Sequence, residues 1–221
     1  MDRIETELQR LYGAPQGGGR VRAAVLELAR PASWDALARV WHGAQAELDL
    51  PPAAIAVNGR DGHQLWFSLA PDIALSQATA LLAGLRAHYL AEVPPERIAD
   101  IPSSTPPTEV APGRWSAFIA PDLAAVFADE AWLDMPPSPD QQAEMLSRLK
   151  PIQPEALERA LDRLRPAAAP QPPVQAPAPA ASPGPDGADA RAFLLSVMND
   201  PAVALALRIE AAKALLPITR Q

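Results

Sequence analysis

Apolar positions along this chain recur at helical spacing, switch to short β-prone runs, and switch back several times. Ile4, Leu8, Leu11 and Tyr12 predict a helix over residues 2–12, stopped by Gly13. Residues 21–29 (VRAAVLELA) read as a mostly apolar strand. Ser33 is placed to cap a helix over 34–48 that buries Trp34, Leu37, Val40, Trp41 and Leu48. Two β-prone runs, 55–57 and 63–69, flank Asn58-Gly59-Arg60-Asp61-Gly62, whose Asn-Gly and Asp-Gly pairs accept positive φ and predict a β-hairpin. Leu75, Ala78, Leu81, Leu82, Leu85 and Tyr89 mark a helix over 74–92, ended by Pro94-Pro95. Four prolines make 99–112 a loop, and 113–120 (GRWSAFIA) alternates as a further strand. Helical pieces follow at 121–128, 138–149 and 154–165. This order predicts an α+β fold, a small and mainly antiparallel sheet covered by helices.

The pattern then breaks. Of the 22 residues from Pro166 to Gly187, eight are Pro and seven are Ala. Such a segment cannot bury a core and reads as a disordered, semi-rigid linker. Residues 188–221 regain periodicity as a helical hairpin. Asn199-Asp200-Pro201 forms its turn, and Phe193, Leu194, Val197 and Met198 face Leu205, Ile209, Ala212 and Leu216. Two short helices hide little apolar surface between themselves, so the tail is expected to self-associate or dock on a protein partner. Its docking residues would be Phe193, Leu194, Val197, Met198, Ile209 and Leu216. The domain organisation is therefore 1–165, 166–187 and 188–221.

Composition narrows the chemistry. There is no cysteine and only His42, His63 and His88, so neither a thiolate nor a paired-histidine metal site is expected. No cofactor is implied either: Gly17-Gly18-Gly19 lacks the Gly-Lys-Ser/Thr of a phosphate loop. The first residues are charged and no apolar run reaches membrane-spanning length, so a cytoplasmic protein is expected. The formal net charge is −7; the tail holds +1 and the linker −1, which leaves −7 on residues 1–165. That balance disfavours non-specific binding to DNA through the whole surface of the main domain.

Chemistry-bearing groups gather at the hairpin. Asn58, Gly59, Arg60, Gly62 and His63 combine a flexible turn, a guanidinium and an imidazole, a candidate phosphate- or nucleotide-binding set. The plainer alternative is a solvated hairpin whose His63 starts a strand. Asp61 and His63 lack a partner serine in a nucleophile elbow, so no catalytic residue is assigned. The five tryptophans (34, 41, 66, 115 and 132) read as core, and Asp129, Glu130 and Asp134 as a solvated turn.

The segment NGRDGHQLWFSL resembles the Ser-Gly-x-Gly-x-His-aromatic stretch of archaeo-eukaryotic primase-polymerases, with flanking helices in the same order over residues 33–92. The resemblance implies that His63 contacts a nucleotide's phosphates and that Gly59 and Gly62 shape the turn. It also demands a carboxylate pair on the earlier strand for divalent metals, where this chain has Glu27 alone. The tail, from Arg191 to Pro217, is similar to helical segments of phage terminase small subunits, which oligomerise and mark viral DNA. Together these imply a non-catalytic, DNA-associated protein of replication or of phages and mobile elements, with a degenerate primase-like domain. Two alternatives stand beside it. One is a nucleotidyltransferase whose further carboxylates converge near Glu27 and His63; the other is a protein-binding adaptor with no nucleic-acid role.

Overall fold

The computed structural model describes residues 2–14, 17–32, 34–165, 194–199, 208–209 and 212. The chain divides into two units, Met1–Ala169 and Pro170–Gln221. Ser33, the 166–187 segment, Phe193 and Leu216 lie outside the described residues.

Helix α1 (Arg3–Tyr12) starts where Asp2 and Glu5 form a capping box, satisfying backbone N–H groups that a first turn otherwise leaves unpaired. Strand β1 (Arg20–Ala29), helix α2 (Trp34–Ala46), strands β2 (Ala54–Val57) and β3 (Gly62–Ala74), and helix α3 (Leu75–Tyr89) follow. Then come β4 (Ile98–Ala99), β5 (Thr108–Ala111), β6 (Arg114–Ile119), a 3-10 turn over Pro121–Phe127, and helices α4 (Pro139–Ser147) and α5 (Pro154–Leu164). The six strands form one sheet in the order β4-β1-β3-β2-β6-β5, every pair antiparallel. The fold is α+β with helices on both faces. No helix among the described residues is long and apolar enough to cross a membrane.

The two-residue side-chain period divides the core. Leu26 and Leu28 of β1, Ile55 and Val57 of β2, and Leu65, Phe67 and Leu69 of β3 pack with α2, α3 and α5. Val25, Ala56, Trp66 and Phe118 face the other way and pack with Ile4 and Leu11 of α1 and Ala143 and Leu146 of α4. A one-residue slip of β1 against β3 would exchange these sets, so burial on both faces pins the register.

Two strands fall where the prolines predict a loop. Ile98–Ala99 pairs with Glu27 and Leu28, and Thr108–Ala111 pairs with β6. Both are edge strands, the position where a proline-flanked segment forgoes no ladder bond on its outer side. Strand β3 also runs on to Ala74, five residues past the predicted end, because Val21 and Arg20 of β1 still pair with Ile73 and Ala74.

Beyond Thr108, β6 has no further strand on its outer side. There the buried side chain of Gln142 stands in for one. Its Oε1 accepts from the Phe118 N–H at 2.8 Å, and its Nε2 donates to the Phe118 carbonyl at 2.8 Å. Gln142→Ala leaves both backbone groups unpaired in a buried setting and should cost about 2–3 kcal/mol in urea unfolding. Gln142→Glu, which turns a carboxylate oxygen onto the Phe118 carbonyl, should cost more. A Glu variant as stable as wild type at pH 7 would show that this amide does not carry the edge.

Candidate functional site

The predicted hairpin forms, with Asn58–Asp61 as its loop between β2 and β3. Gly59 sits at φ +80°, and a Cβ there would lie 2.5 Å from Val110 Cγ2, so only glycine fits. The Asn58 side chain and the backbone amides of this turn are used within the protein. The Asn58 side-chain oxygen accepts from the backbone N–H groups of Arg60, Asp61 and Gly62 at 2.8, 2.9 and 3.0 Å. The Asn58 N–H donates to the Gly62 carbonyl, and the Gly59 N–H to Ala131. Five successive amides are thereby satisfied within the protein, leaving none to cradle an anion. Arg60 is exposed and unpaired among the described residues, and it is the one member of the candidate phosphate set that faces water.

His63 is fully buried. It lies 5.7 Å from the Trp34 ring, and its Nε2 is 3.0 Å from the Ala124 carbonyl. A carbonyl only accepts, so Nε2 carries the proton and Nδ1 is left as a bare, buried acceptor with no partner. Burial holds the His63 pKa below the ordinary imidazole range, outweighing the opposing bond to Ala124. A phosphate contact at His63 is therefore sterically closed in this arrangement.

Glu27 does not join His63. Leu28 is the β1 residue opposite His63, and Glu27 is opposite Gln64, so alternation sends Glu27 and His63 to opposite faces of the sheet. Glu27 is only 4% exposed and is satisfied by N–H donors from three segments. Asn58 Nδ2 donates to Oε1 at 2.9 Å, and Gln64 Nε2 and the Ser103 N–H donate to Oε2 at 2.7 and 2.8 Å. Trp66 Nε1 donates to Gln64 Oε1 at 2.9 Å, and Ser104 Oγ to the Asn58 carbonyl at 2.8 Å, which completes the network. Among the described residues, no three acidic or histidine side chains converge to hold a metal ion. The convergence that a nucleotidyltransferase would need around Glu27 and His63 is absent there.

The surface with open chemistry lies elsewhere. Pro121 starts a 3-10 turn, in which residues three apart eclipse. Leu123 and Val126 thus share one outer face, 48% and 73% exposed, while Ala124 is buried and accepts from His63. Segment 131–133 is tied down by two hydrogen bonds between Leu133 and Trp115 and by Gly59 to Ala131. Between this turn and α4 lies a cavity of about 540 Å³ lined by Phe118, Leu123, Phe127, Leu133 and Met145. A second, of about 290 Å³, shares Phe118, Ile119, Ala120 and Met145 and runs to Trp41 and Leu149. A third, of about 350 Å³, shares Phe127 and Leu133 and reaches Val126 and Met135. Met135 is 69% exposed.

The stretch that borders the depression is acidic in sequence, while Arg3 lines the first cavity, Arg148 the second, and Arg114 covers Trp132 at the third. From Trp115 to Ser147 there are six carboxylates (Asp122, Asp129, Glu130, Asp134, Asp140 and Glu144) and no Lys, Arg or His. Only Glu144 is neutralised, by Arg3 at 2.8 Å and Arg148 at 3.1 Å, whose hydrogen bonds lower its pKa. The cluster of Asp129, Glu130 and Asp134 is exposed as expected, but it borders an apolar depression rather than an isolated turn. Of the tryptophans, Trp66 is buried, and the other four are half-buried; Trp132 lies under the Arg114 guanidinium at 4.1 Å. In the second unit, residues 194–199 are helical. Leu194, Val197 and Met198 are half-buried, Ile209 is 48% exposed, and Arg208 Nε donates to the Met198 carbonyl at 2.9 Å.

Glu27→Ala strands three buried donors and should cost about 3 kcal/mol or more in urea unfolding, whereas Arg60→Ala should stay within about 0.5 kcal/mol of wild type. Comparable losses for the two would place the weight of this hairpin outside the network. His63 makes stability pH-dependent with a defined sign. Its folded pKa is lowered, so below about 6.5 the unfolded chain takes a proton that the folded state resists. Stability from this group is complete above that pH and is lost as pH falls from it towards the folded value. His63→Gln should flatten this part of the unfolding free energy below about pH 6.5, and an unchanged slope would remove His63 as its source.

No protein-family model, no curated protein and no solved structure matches this chain.

Proposed function

We propose that this protein is a non-catalytic, protein-binding adaptor whose α+β domain receives a partner segment in the depression between the 3-10 turn and α4. The observation that carries this reading is the open apolar surface of Leu123, Val126 and Met135, continuous with three joined cavities. Exposed apolar patches of this kind cost solubility unless a partner covers them. The hairpin offers no comparable surface for nucleic acid, because its amides are spent on Asn58 and its histidine is buried. The acidic rim repels phosphate at the same time. The tail residues Leu194, Val197, Met198 and Ile209 would supply a second attachment, which keeps the adaptor reading consistent along the chain.

Panning displayed random peptides of about 20 residues against the full chain tests this reading. Wild type should enrich peptides that the Leu123→Asp/Val126→Asp double variant does not retain, with the variant's melting temperature unchanged because both positions are exposed. Failure to enrich any peptide dependent on these positions, together with tight binding of duplex DNA or nucleotide, would overturn it.

A further inference from the structure

We infer that the segment received by this depression is a cationic amphipathic helix, an inference that rests on the docking reading above. Three features point to it. The first is the state of the sheet edge. A strand can add to a sheet only where backbone N–H and C=O groups are free, and at Phe118 both are taken by Gln142. At the floor of this depression an incoming segment therefore binds by side chains and not by extending the sheet. A helix satisfies its own backbone and needs no such groups.

The second feature is the form of the apolar surface. It is three joined cavities, not one deep pocket, linked through Phe118 and Met145 on one side and through Phe127 and Leu133 on the other. A helix presenting apolar residues at i, i+4 and i+7 offers successive anchors along one face to adjoining cavities of this kind. Met135 and Met145 are unbranched and adapt to differing anchors, as methionines do at surfaces that receive helices.

Charge is the third. Of the carboxylates that line the cavities, Glu130, Asp134 and Asp140 make no ion pair among the described residues, whereas the lining cations Arg3 and Arg148 both pair with Glu144, so the lining stays net acidic. An acidic rim around an apolar floor complements a helix with leucine-like residues on one face and Lys or Arg flanking it. It disfavours an anionic helix of the same apolar pattern by like-charge repulsion.

The test uses the full chain and three fluorescein-labelled peptides of about 18 residues, long enough for five helical turns. One has Leu at i, i+3, i+4 and i+7 with Lys elsewhere; one has Glu in place of Lys; one has the Leu/Lys composition in an order without a helical face. Fluorescence anisotropy at about 150 mM salt should show the patterned Leu/Lys peptide binding about ten-fold or more tightly than either other peptide. Val126→Asp should weaken it about ten-fold, even though this substitution adds negative charge. Glu130→Gln with Asp134→Asn should weaken it several-fold and reduce its salt dependence. Binding that is unchanged or tighter in Val126→Asp would reveal attraction to bulk charge alone and overturn the proposal. Equal affinity for the Leu/Glu peptide would overturn it as well. So would a full-length dimer, by light scattering, that Val126→Asp dissociates, because the surface would then belong to a second copy. Groove-dependent peptides from the library that are neutral or acidic would sink this inference while leaving the docking reading intact.

Discussion

A carboxylate with no cation partner among the described residues organises this domain. Glu27 sits in the middle of the sheet, 4% exposed, and its two oxygens are satisfied only by N–H donors. Burying a charge in this way is tolerable only if its hydrogen bonds are complete. Each donor therefore recruits a separate piece of chain: Asn58 brings the hairpin turn, Gln64 brings β3, and the Ser103 N–H brings the proline-rich loop after β4. That loop has little regular structure of its own, and its anchors include this bond, Ser104 Oγ to the Asn58 carbonyl, Gln64 Nε2 to the Ser104 carbonyl, and the Arg86–Asp100 pair. The requirement also decides what the hairpin can be. With Asn58 committed to Glu27 on one atom and to three turn amides on the other, the backbone of the turn becomes internal scaffolding.

Much of the architecture was legible because it rests on local pattern. Gly13 and Asn58-Gly59 mark real boundaries, the helix expected to run to Pro94-Pro95 already ends at Tyr89, and the 121–128, 138–149 and 154–165 pieces all appear as helical turns or helices. What was not legible depends on partners distant in sequence. Ile98–Ala99 and Thr108–Ala111 become strands only because β1 and β6 present free edges to them. The assignment of side chains to two faces was equally hidden, and it separates Glu27 from His63 although each looked like a site residue.

The hairpin reads two ways for a chemical reason. Asparagine, glycine and histidine in one turn read equally well as a ligand cradle or as a turn that caps itself. The self-capping habit of Asn before glycine was the signal for the second outcome. The groove left a fainter mark. Leu123 and Val126 fall at helical spacing in the 121–128 piece, but Met135 lies beyond Asp129, Glu130 and Asp134 in a segment with no period to tie it to them. A 3-10 turn followed by a tethered irregular segment brings such scattered residues onto one surface, and period analysis does not detect it. The absence of any Lys, Arg or His over 115–147 was the visible clue.

The side-chain amide of Gln142 has a further consequence at the level of many molecules. Sheet edges with free N–H and C=O groups recruit the same strand from neighbouring chains, and proteins guard them with charge, proline or cover. Residues 114–119 (RWSAFI) are apolar and β-prone over their last half, with Phe118 and Ile119 at the end where β5 no longer reaches. One glutamine therefore acts as a gatekeeper against intermolecular β-pairing. Natural or engineered changes there would add a loss of colloidal stability at high concentration to the loss of folding free energy.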